Sequence, residues 1–243
     1  MRAISQSQIN LYRMCPHAYE LQYRYKKQPI MRDPSIMEVG KRVHDAIDTY
    51  YKGYYTLETN EQSIFNTTYN ILRNQWDVTL PASYLKKSHT CLGNFAKFES
   101  KNVNGEFATK PLTEVKVYSG DLMGIIDYLD LSRQRAVDFK TNANPGISYE
   151  NRMQAVMYRK LIYDKFNTNI KTFYFLFLFT GDEKEVWMED LKLLDIEKEL
   201  YLYKDKILES WKTMVFPKEP RIESACDGCS YRYYCEGVDG NTC

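Results

Sequence analysis

Two charged side chains flank one aromatic residue in a short apolar segment of this 243-residue chain. Asp138 and Lys140 stand on either side of Phe139 in the segment QRAVDFKTN, residues 134–142. The segment predicts a β-strand on which the two charges share one face, because successive side chains point to opposite faces. Buried charge is costly unless it is paired. A local ion pair at the end of a strand is the simplest interpretation, and a catalytic pair is the alternative.

A second carboxylate occurs in the preceding strand-like segment. Asp127 belongs to GIIDYLD, residues 124–130, where it shares a face with Leu129. If the two segments are antiparallel neighbours, Asp127 and Asp138 converge, and their repulsion favours a bound cation. Carboxylate oxygens suit hard ions such as Mg²⁺ or Mn²⁺. Lys140 beside them would stabilise negative charge on a substrate. These side chains together suit metal-assisted hydrolysis of a phosphodiester.

Hydrophobic periodicity predicts the elements that must position these residues. Helical spacing indicates helices over 5–25, with Ser5 or Ser7 as the cap, over 35–51, near 61–76 and near 90–103. From residue 112 the period changes to two, which predicts strands over 112–119, 121–132 and 135–141 as a meander. A helix over 150–165, strands over 172–180 and 184–190, and a helix over 191–214 follow. This order predicts an α/β fold with helices packed around a sheet.

Composition and charge narrow the class of protein. The chain is 44% hydrophobic and 27% charged, as is usual for a globular protein. Its longest apolar run, residues 173–179, is too short to cross a bilayer as a helix. No signal peptide is evident, so we expect a soluble, cytoplasmic protein with no membrane partner. Basic residues are in excess over 1–45 and 151–171 and acidic ones over 182–200, which is compatible with binding an anionic polymer or with solvated helix faces.

The cysteines are concentrated at the C-terminal end. Four of the six fall in the last eighteen residues, which favours a metal or cluster site over disulfides in a chain without a secretory signal. Three of them lie within ten residues: Cys226, Cys229 and Cys235. A fourth thiolate would come from Cys15, Cys91 or Cys243. Zinc sites usually have paired Cys-x₂-Cys knuckles, and because a second knuckle is missing, a 4Fe-4S cluster fits better than Cys₄ zinc.

Seven short motifs occur in a fixed order along almost the whole chain. They are SQSQINLYRMCPHAYELQY (5–23), GKRVHDAI (40–47), LTEVKV (112–117), GIID (124–127), VDFKT (137–141), QAVMY (154–158) and CDGCSYRYYC (226–235). In this order they resemble the RecB-like nucleases of the PD-(D/E)xK superfamily. The most similar branch is that of the CRISPR-associated RecB-like exonucleases that carry an iron–sulfur cluster.

The resemblance implies one nuclease domain over residues 1–243. It would have a mostly helical part over 1–110, a nuclease core over 111–190, and a C-terminal helix and cluster-binding tail over 191–243. The fold class implied is a restriction-endonuclease-like core with a mixed central β-sheet flanked by helices. A metal cluster would join the N-terminal helical annex to the cysteine-rich segment. Its ligands would be Cys15, Cys226, Cys229 and Cys235.

The resemblance also assigns roles at the candidate catalytic centre. The implied ligands of Mg²⁺ or Mn²⁺ are His44, Asp127, Asp138 and the backbone carbonyl of Phe139. Lys140 would assist the attacking water, and Glu114 would contact a water beside the metal. Gln154 and Tyr158 share a helix face and would contact the DNA backbone or those waters. From the residues alone, a lone histidine such as His44 is more often a packed core residue than a ligand, and Glu114 could simply be an exposed strand residue. Gln154 and Tyr158 could equally belong to a partly buried amphipathic helix in which Tyr158 packs.

The implied function is a metal-dependent DNA nuclease. Members of the resembled family act as exonucleases, sometimes with endonuclease activity. Aromatic and basic residues in YRYKK, 23–27, could stack on bases, which favours single-stranded DNA or frayed ends as substrate. The family's roles imply either trimming of spacer DNA beside a CRISPR integrase or viral or mobile-element recombination. Related proteins also form toroidal homo-oligomers. The alternative function is a DNA-end-binding partner of an integrase or recombination complex with weak catalysis.

Overall fold

The elements of the chain follow the predicted order. The computed structural model describes residues 3–30, 33, 35–56, 59–76, 80–103, 109–221 and 225–239, with side chains up to residue 235. The α-helices in these ranges are α1 (Gln6–Met14), α2 (Pro16–Tyr23), α3 (Ser35–Gly53), α4 (Glu61–Asn74), α5 (Ala82–Val103), α6 (Tyr149–Phe166), α7 (Lys192–Thr213) and α8 (Arg232–Asp239). The β-strands are β1 (Leu112–Ser119), β2 (Leu122–Asp130), β3 (Arg135–Lys140), β4 (Thr172–Phe177) and β5 (Asp182–Trp187). The prediction of an α/β fold is confirmed.

The strands form one mixed sheet in the order β1-β2-β3-β4-β5. β1, β2 and β3 are successive antiparallel neighbours, as the predicted meander requires. β3 and β4 are parallel, because α6 carries the chain back along one face of the sheet before β4 begins. β5 pairs with β4 as an antiparallel edge strand.

Helices cover both faces of the sheet and bury two apolar cores. On one face α1, α6 and α7 pack against side chains that include Phe173 and Phe175 of β4. On the other face α3, α4 and α5 pack against side chains that include Val137 and Phe139 of β3. β4 is buried on both faces, as its continuous apolar sequence predicts. The strand that carries Asp138 and Lys140 therefore runs between two cores.

The prediction of one continuous helix over 5–25 is wrong, because the helix is interrupted at Cys15. Its backbone is extended there, with φ −164° and ψ 119°, between α1 and α2. Pro16 is the physical reason, since a proline ring disfavours the helical region for the residue before it and suits the first position of a new helix. Ser5 is the cap of α1, and its hydroxyl accepts the backbone N–H of Gln8.

Several predicted boundaries also shift. The helix near 90–103 begins at Ala82, eight residues earlier. The strand over 172–180 ends at Phe177, and its partner over 184–190 runs from Asp182 to Trp187. The reason is a turn that begins before the predicted one: the amides of Thr180 and Gly181 both donate to the Phe177 carbonyl. Gly181 has φ 80°, a conformation that glycine adopts without strain.

The C-terminal tail folds back on the first two helices. Tyr231 packs with Ala18 and Leu21 in a small separate core. Two backbone hydrogen bonds join the segments, Arg221 N to Met14 O at 2.9 Å and Ile30 N to Ser230 O at 2.8 Å. This contact carries the tail cysteines to the α1–α2 junction. No helix within the described ranges is long and apolar enough to span a membrane.

Candidate active site and cysteine-lined cavity

Asp127 is fixed where the β2–β3 pairing opens. The ladder pairs Tyr128 with Val137, and the next residues along the register are Asp127 and Asp138. There the Phe139 amide donates to the Asp127 side chain instead, at 2.7 Å to Oδ2. The carboxylate of β2 is thereby held against the backbone of β3. Asp127 and Asp138 therefore lie next to each other where the pairing of β2 and β3 ends, as the antiparallel arrangement predicts.

α3 brings His44 to the same place. His44 Nε2 lies 3.0 Å from the Phe139 carbonyl oxygen. Its Nδ1 lies 3.6 Å from both Glu114 Oε1 and Asp127 Oδ2. Gly40, one turn earlier, allows the helix to approach β3 closely, since a Cβ there would meet Thr141 Oγ1 at 3.1 Å. His44 is thus a polar residue at the sheet rather than a packed core histidine.

His44, Glu114 and Asp127 form a close group of potential metal ligands. One ligand atom from each lies within 4.8 Å of the others. The side chains are partly exposed, at 25% for His44, 31% for Glu114 and 11% for Asp127. Two carboxylates and an imidazole are donors that Mn²⁺ and Mg²⁺ accept. The donor set therefore fits a hard divalent cation.

Glu114 reaches this group through an unusual backbone conformation. It has φ 46°, in the left-handed region that residues other than glycine rarely adopt. The register places it opposite Asp127, because its neighbours Thr113 and Val115 pair with Tyr128 and Ile126. Backbone strain of this kind is often found at functional sites.

The strand alternation of β2 breaks at the same point. Ile126 and Leu129 pack in the core beneath α6, whereas Tyr128 packs in the core beneath α3. The simple alternating face that the sequence predicts for Asp127 and Leu129 is therefore interrupted at Asp127. The kink directs this acid toward His44 and away from the regular face of the strand.

Asp138 and Lys140 form an ion pair that α6 supports. Lys140 Nζ lies 2.7 Å from Asp138 Oδ2. Gln154 joins both residues: its Nε2 donates to Asp138 Oδ1 at 2.5 Å, and its Oε1 accepts from Lys140 Nζ at 2.9 Å. The local ion pair expected from the sequence is therefore present, with a third polar member. Asp138 stands outside the close group of His44, Glu114 and Asp127.

The charges of three acids, one on each of β1, β2 and β3, act on His44 and on one another. Burial lowers the pKa of His44, but the charges of Asp127, Asp138 and Glu114 outweigh it and raise the pKa to about 9. Burial and the neighbouring Asp138 charge raise the pKa of Asp127 above its usual range, although His44 opposes the change. Crowded carboxylates that favour a nearby positive charge are what a cation site requires.

Tyr158 lies one turn after Gln154 on α6, and its side chain is buried in the core beneath this helix. The residue is only 7% exposed and its ring meets Phe173 at 5.9 Å between centroids. Gly124 makes room for it, since a Cβ on Gly124 would lie 2.6 Å from Tyr158 Cε1. Burial raises the pKa of the Tyr158 hydroxyl. The helix face that the sequence singles out is thus divided between a polar residue at the ion pair and a buried tyrosine.

The four predicted cluster cysteines line one small cavity at the α1–α2 junction. They are Cys15, Cys226, Cys229 and Cys235. The backbone N–H of Tyr231 lies 3.4 Å from Cys229 Sγ. Of the other two candidates, Cys91 is buried in α5 within the core beneath α3, and Cys243 lies outside the described residues. The interruption between α1 and α2 at Cys15, together with the folded-back tail, brings the four predicted cluster cysteines to the same cavity.

The donor set of this cavity is chemically suited to a metal centre. Four cysteine thiolates are the usual ligands of a structural zinc ion or of an iron–sulfur cluster.

Sequence reasoning missed two features of these sites. It did not place Glu114 in the group of potential metal ligands, and a glutamate in an alternating strand carries no local signal of a left-handed conformation. It also left out His17, which lines the cysteine cavity. The only sequence signal was its position directly after Cys-Pro.

The protein has a mixed sheet in which one strand carries the Asp-x-Lys sequence. His44, Glu114 and Asp127 form a group of potential metal ligands beside that strand. These features are consistent with a restriction-endonuclease-like nuclease core. The family model of the PD-(D/E)XK nuclease superfamily matches residues 3–236. The chain therefore belongs to this superfamily, whose members are nucleases that use divalent metals such as Mg²⁺ or Mn²⁺. A comparison with curated proteins found no matching relative.

Proposed function

We propose that this protein is a metal-dependent deoxyribonuclease of the RecB-like type. It would act as an exonuclease on single-stranded DNA or frayed ends, with some endonuclease activity. The observation that carries the proposal is the placement of His44, Glu114 and Asp127 next to the Asp138–Lys140 pair. Membership of the nuclease superfamily supports the same chemistry.

The proposed metal ligands are His44, Asp127, Asp138 and the carbonyl oxygen of Phe139, with Glu114 as a further carboxylate. The Phe139 carbonyl qualifies because it already faces His44 at 3.0 Å. A bound Mg²⁺ or Mn²⁺ would supply Lewis-acid stabilisation of the phosphoryl oxygens.

Lys140 would stabilise the charge that develops on the phosphate and orient the attacking water. Its ammonium group is held by Asp138 and Gln154, so it is positioned before substrate arrives. Gln154 has a positioning role, because it bonds to both members of the pair. The hydroxyl of Tyr158 would contact the DNA backbone or waters of the metal site, while its ring packs α6 against Phe173.

A cleavage assay with matched variants tests the assignment. With Mn²⁺ and labelled single-stranded DNA, Asp138→Ala and Lys140→Ala should each lose about 10²-fold or more in rate, since the first removes a proposed metal ligand and the second removes the positive charge beside the phosphate. The control is Lys184→Ala, which removes an exposed lysine of β5 and should cleave like wild type. Equal rates in all four proteins would contradict the assignment. A wild type that binds DNA ends without cutting would instead support the DNA-end-binding partner.

The preference for single strands rests on exposed aromatic and basic residues after α2. Tyr25 is 51% exposed, and the Arg24 guanidinium lies 5.1 Å from the centre of its ring. Such a pair can stack on a base and contact a phosphate. Strands blocked at the 5′ or the 3′ end would give the polarity of digestion. Faster cleavage of fully paired, blunt DNA than of single strands would contradict the preference.

The second part of the proposal is a 4Fe-4S cluster at the cysteine cavity. Its ligands would be Cys15, Cys226, Cys229 and Cys235, so that ligation ties the first helices to the tail. Anaerobically purified protein should be brown and contain about four iron atoms per chain. Each cysteine-to-alanine variant should lose colour and thermal stability, whereas Cys91→Ser should keep its colour. Colourless wild-type protein with stoichiometric zinc would contradict the cluster.

The proposed biological setting is CRISPR spacer acquisition or viral or mobile-element DNA processing. In the first setting the protein would trim DNA beside a CRISPR integrase, and in either it could assemble as a homo-oligomer. Copurification with an integrase from the source cells would support the first setting. Light scattering of the purified chain gives the oligomeric state directly.

A further inference from the structure

A cavity of about 380 Å³ lies between the first turn of α1, the end of α2 and strand β2. We call it the α1–β2 cavity, and its lining includes Ser5, Ser7, Gln8, Tyr23, Ile125 and Tyr158. Among the described residues that line it, none carries a charge. Pockets for small organic groups usually measure about 300–1,000 Å³ and combine apolar and aromatic walls with a few polar groups. The α1–β2 cavity therefore suits a neutral group of modest size, and its described lining offers no cationic side chain to a phosphate.

Gln8 brings a buried hydrogen-bond donor to this cavity. The residue is 6% exposed, and its amide orientation is fixed by a chain of hydrogen bonds. The Trp211 indole, which can only donate, bonds to the Tyr19 hydroxyl at 3.0 Å, and that hydroxyl donates in turn to Gln8 Oε1 at 3.1 Å. Gln8 Nε2 gives one N–H to the Ala3 carbonyl at 3.0 Å, and its second N–H has no partner among the described residues. A buried donor of this kind calls for an acceptor from outside the chain.

The α1–β2 cavity adjoins the candidate active site through α6 and β2. Tyr158, which lines the cavity, lies one turn after Gln154, and Gln154 is bonded to Lys140. On β2, Ile125 stands two residues before Asp127, about 7 Å along the strand at the usual rise. This length is comparable to that of one nucleotide in an extended strand. A DNA strand with a phosphate at the metal ligands can therefore place an adjacent base in the cavity.

We propose that the α1–β2 cavity binds one unpaired nucleobase of the DNA strand, with the base beside Tyr23 and one of its acceptor atoms on the second N–H of Gln8. The inference rests on the proposed nuclease function and names how that site selects single strands. Tyr23 is held against Tyr19, with ring centroids 4.7 Å apart, and aromatic rings commonly hold single-stranded bases by stacking. Every base carries an acceptor atom, so the contact favours no sequence. A base inside a duplex is covered on both faces and on its pairing edge, so only an unpaired base can enter.

Binding of two short DNA strands tests the inference separately from cleavage. One is a fluorescein-labelled oligothymidine strand of about eight nucleotides, and the other has the same sugar–phosphate backbone and charge but no bases. Fluorescence anisotropy, with Ca²⁺ replacing Mn²⁺ to suppress cleavage, gives the dissociation constant of each strand. Wild type should bind the abasic strand about tenfold or more weakly than oligothymidine, because the abasic strand leaves the cavity empty.

Two variants and a matched control assign the base contact to this cavity. Tyr23→Leu removes the aromatic ring and should weaken oligothymidine binding about tenfold. Gln8→Met keeps the side-chain length without the donor and should weaken it about three- to tenfold. In both variants the difference between the two strands should shrink, because the variant and the abasic strand lose the same contact. The control is Gln62→Met, an exposed residue of α4 whose amide bonds to Asn66, and it should match wild type. Thermal unfolding identifies any variant that does not fold, and the other variant then decides.

The possible outcomes separate this inference from the proposed nuclease activity. Equal affinity of wild type for the two strands would overturn the base pocket, since recognition would then depend on phosphates alone. A difference between the strands that persists in folded Tyr23→Leu and Gln8→Met would overturn it too, by placing the base contact elsewhere. A wild type that prefers bases through these residues but cuts no DNA would contradict the nuclease activity and leave the pocket standing. A wild type that binds neither strand would overturn both.

Discussion

Glu114 lies opposite Asp127 across the β1–β2 pair, at a point where its own backbone turns into the left-handed region with φ 46°. This backbone conformation brings the Glu114 carboxylate to 3.6 Å from His44 Nδ1, in addition to the two acids of the sequence motifs, Asp127 and Asp138. Asp138, in contrast, is bound by Lys140 and Gln154. Because Glu114 and Asp127 face each other across the two strands, they are the two acids in the close group with His44.

Metal affinity should depend more on Glu114 than on Asp138. Glu114→Gln removes a charge from the close group and should weaken Mn²⁺ binding about tenfold or more, whereas Asp138→Asn should weaken it less. Isothermal titration calorimetry measures both, with Glu219→Gln, an exposed residue after α7, as the control. The reverse order of affinities would contradict the larger contribution of Glu114 and would make Asp138 the stronger of the two proposed ligands.

The left-handed backbone at Glu114 should lower the free energy of unfolding, and a glycine at this position should restore it. Glu114→Ala and Glu114→Gly both lack the carboxylate, so their difference isolates the backbone. Because only glycine adopts this φ without strain, Glu114→Gly should be more stable by about 1–2 kcal/mol. Urea unfolding at one pH measures the difference. Equal stabilities would mean that this strand relaxes once the carboxylate is gone.

Gly124 should be required for the packing of α6. A Cβ there would lie 2.6 Å from Tyr158 Cε1 and 2.9 Å from Leu161 Cδ1, so Gly124→Ala should destabilise the fold by about 1–3 kcal/mol. Gly93→Ala is the matched control: in α5 nothing lies within 4 Å of the added atom. That substitution should raise stability by about 0.5–1 kcal/mol, since alanine favours a helix. Thermal unfolding of the two variants should therefore shift in opposite directions.

Stability should fall as pH rises because of Glu99, a fully buried acid of α5. Burial raises its pKa from 4.5 to about 7, against the opposing hydrogen bonds from Tyr51 and Asn102. The folded state then holds a proton that the unfolded state has lost between these two values, so unfolding releases a proton there. At about 1.4 kcal/mol per pKa unit, wild type should lose up to roughly 3 kcal/mol between about pH 4.5 and 7.

Glu99→Gln supplies the comparison for this pH dependence. The amide keeps the shape of the side chain and an oxygen for the Tyr51 hydroxyl, which donates to Glu99 Oε2 at 2.6 Å. Urea unfolding at several pH values should show a wild-type minus variant difference that changes steadily across this interval. A constant difference would mean that Glu99 is ionised in both states.

Much of the fold follows from local sequence patterns. The change from helical to alternating periodicity at residue 112 predicts the meander, and the continuous apolar segment 172–177 predicts the strand buried on both faces. These patterns succeed because each element must bury its own apolar side. The boundaries fail where a local interaction intervenes, as Pro16 does at the helix break and Gly181 at the early turn.

The sequence by itself determined the residue types at the site and the order in which they occur. Asp127, Asp138 and Lys140 lie on predicted strands, and His44 and Gln154 on predicted helices. Only the tertiary structure decided which of them meet. The opening of the β2–β3 ladder, the left-handed residue at Glu114, and the return of the tail to His17 all depend on packing between segments distant in the chain. Such contacts leave no periodic signal, because they arise from the balance of many side chains across two cores rather than from any one element.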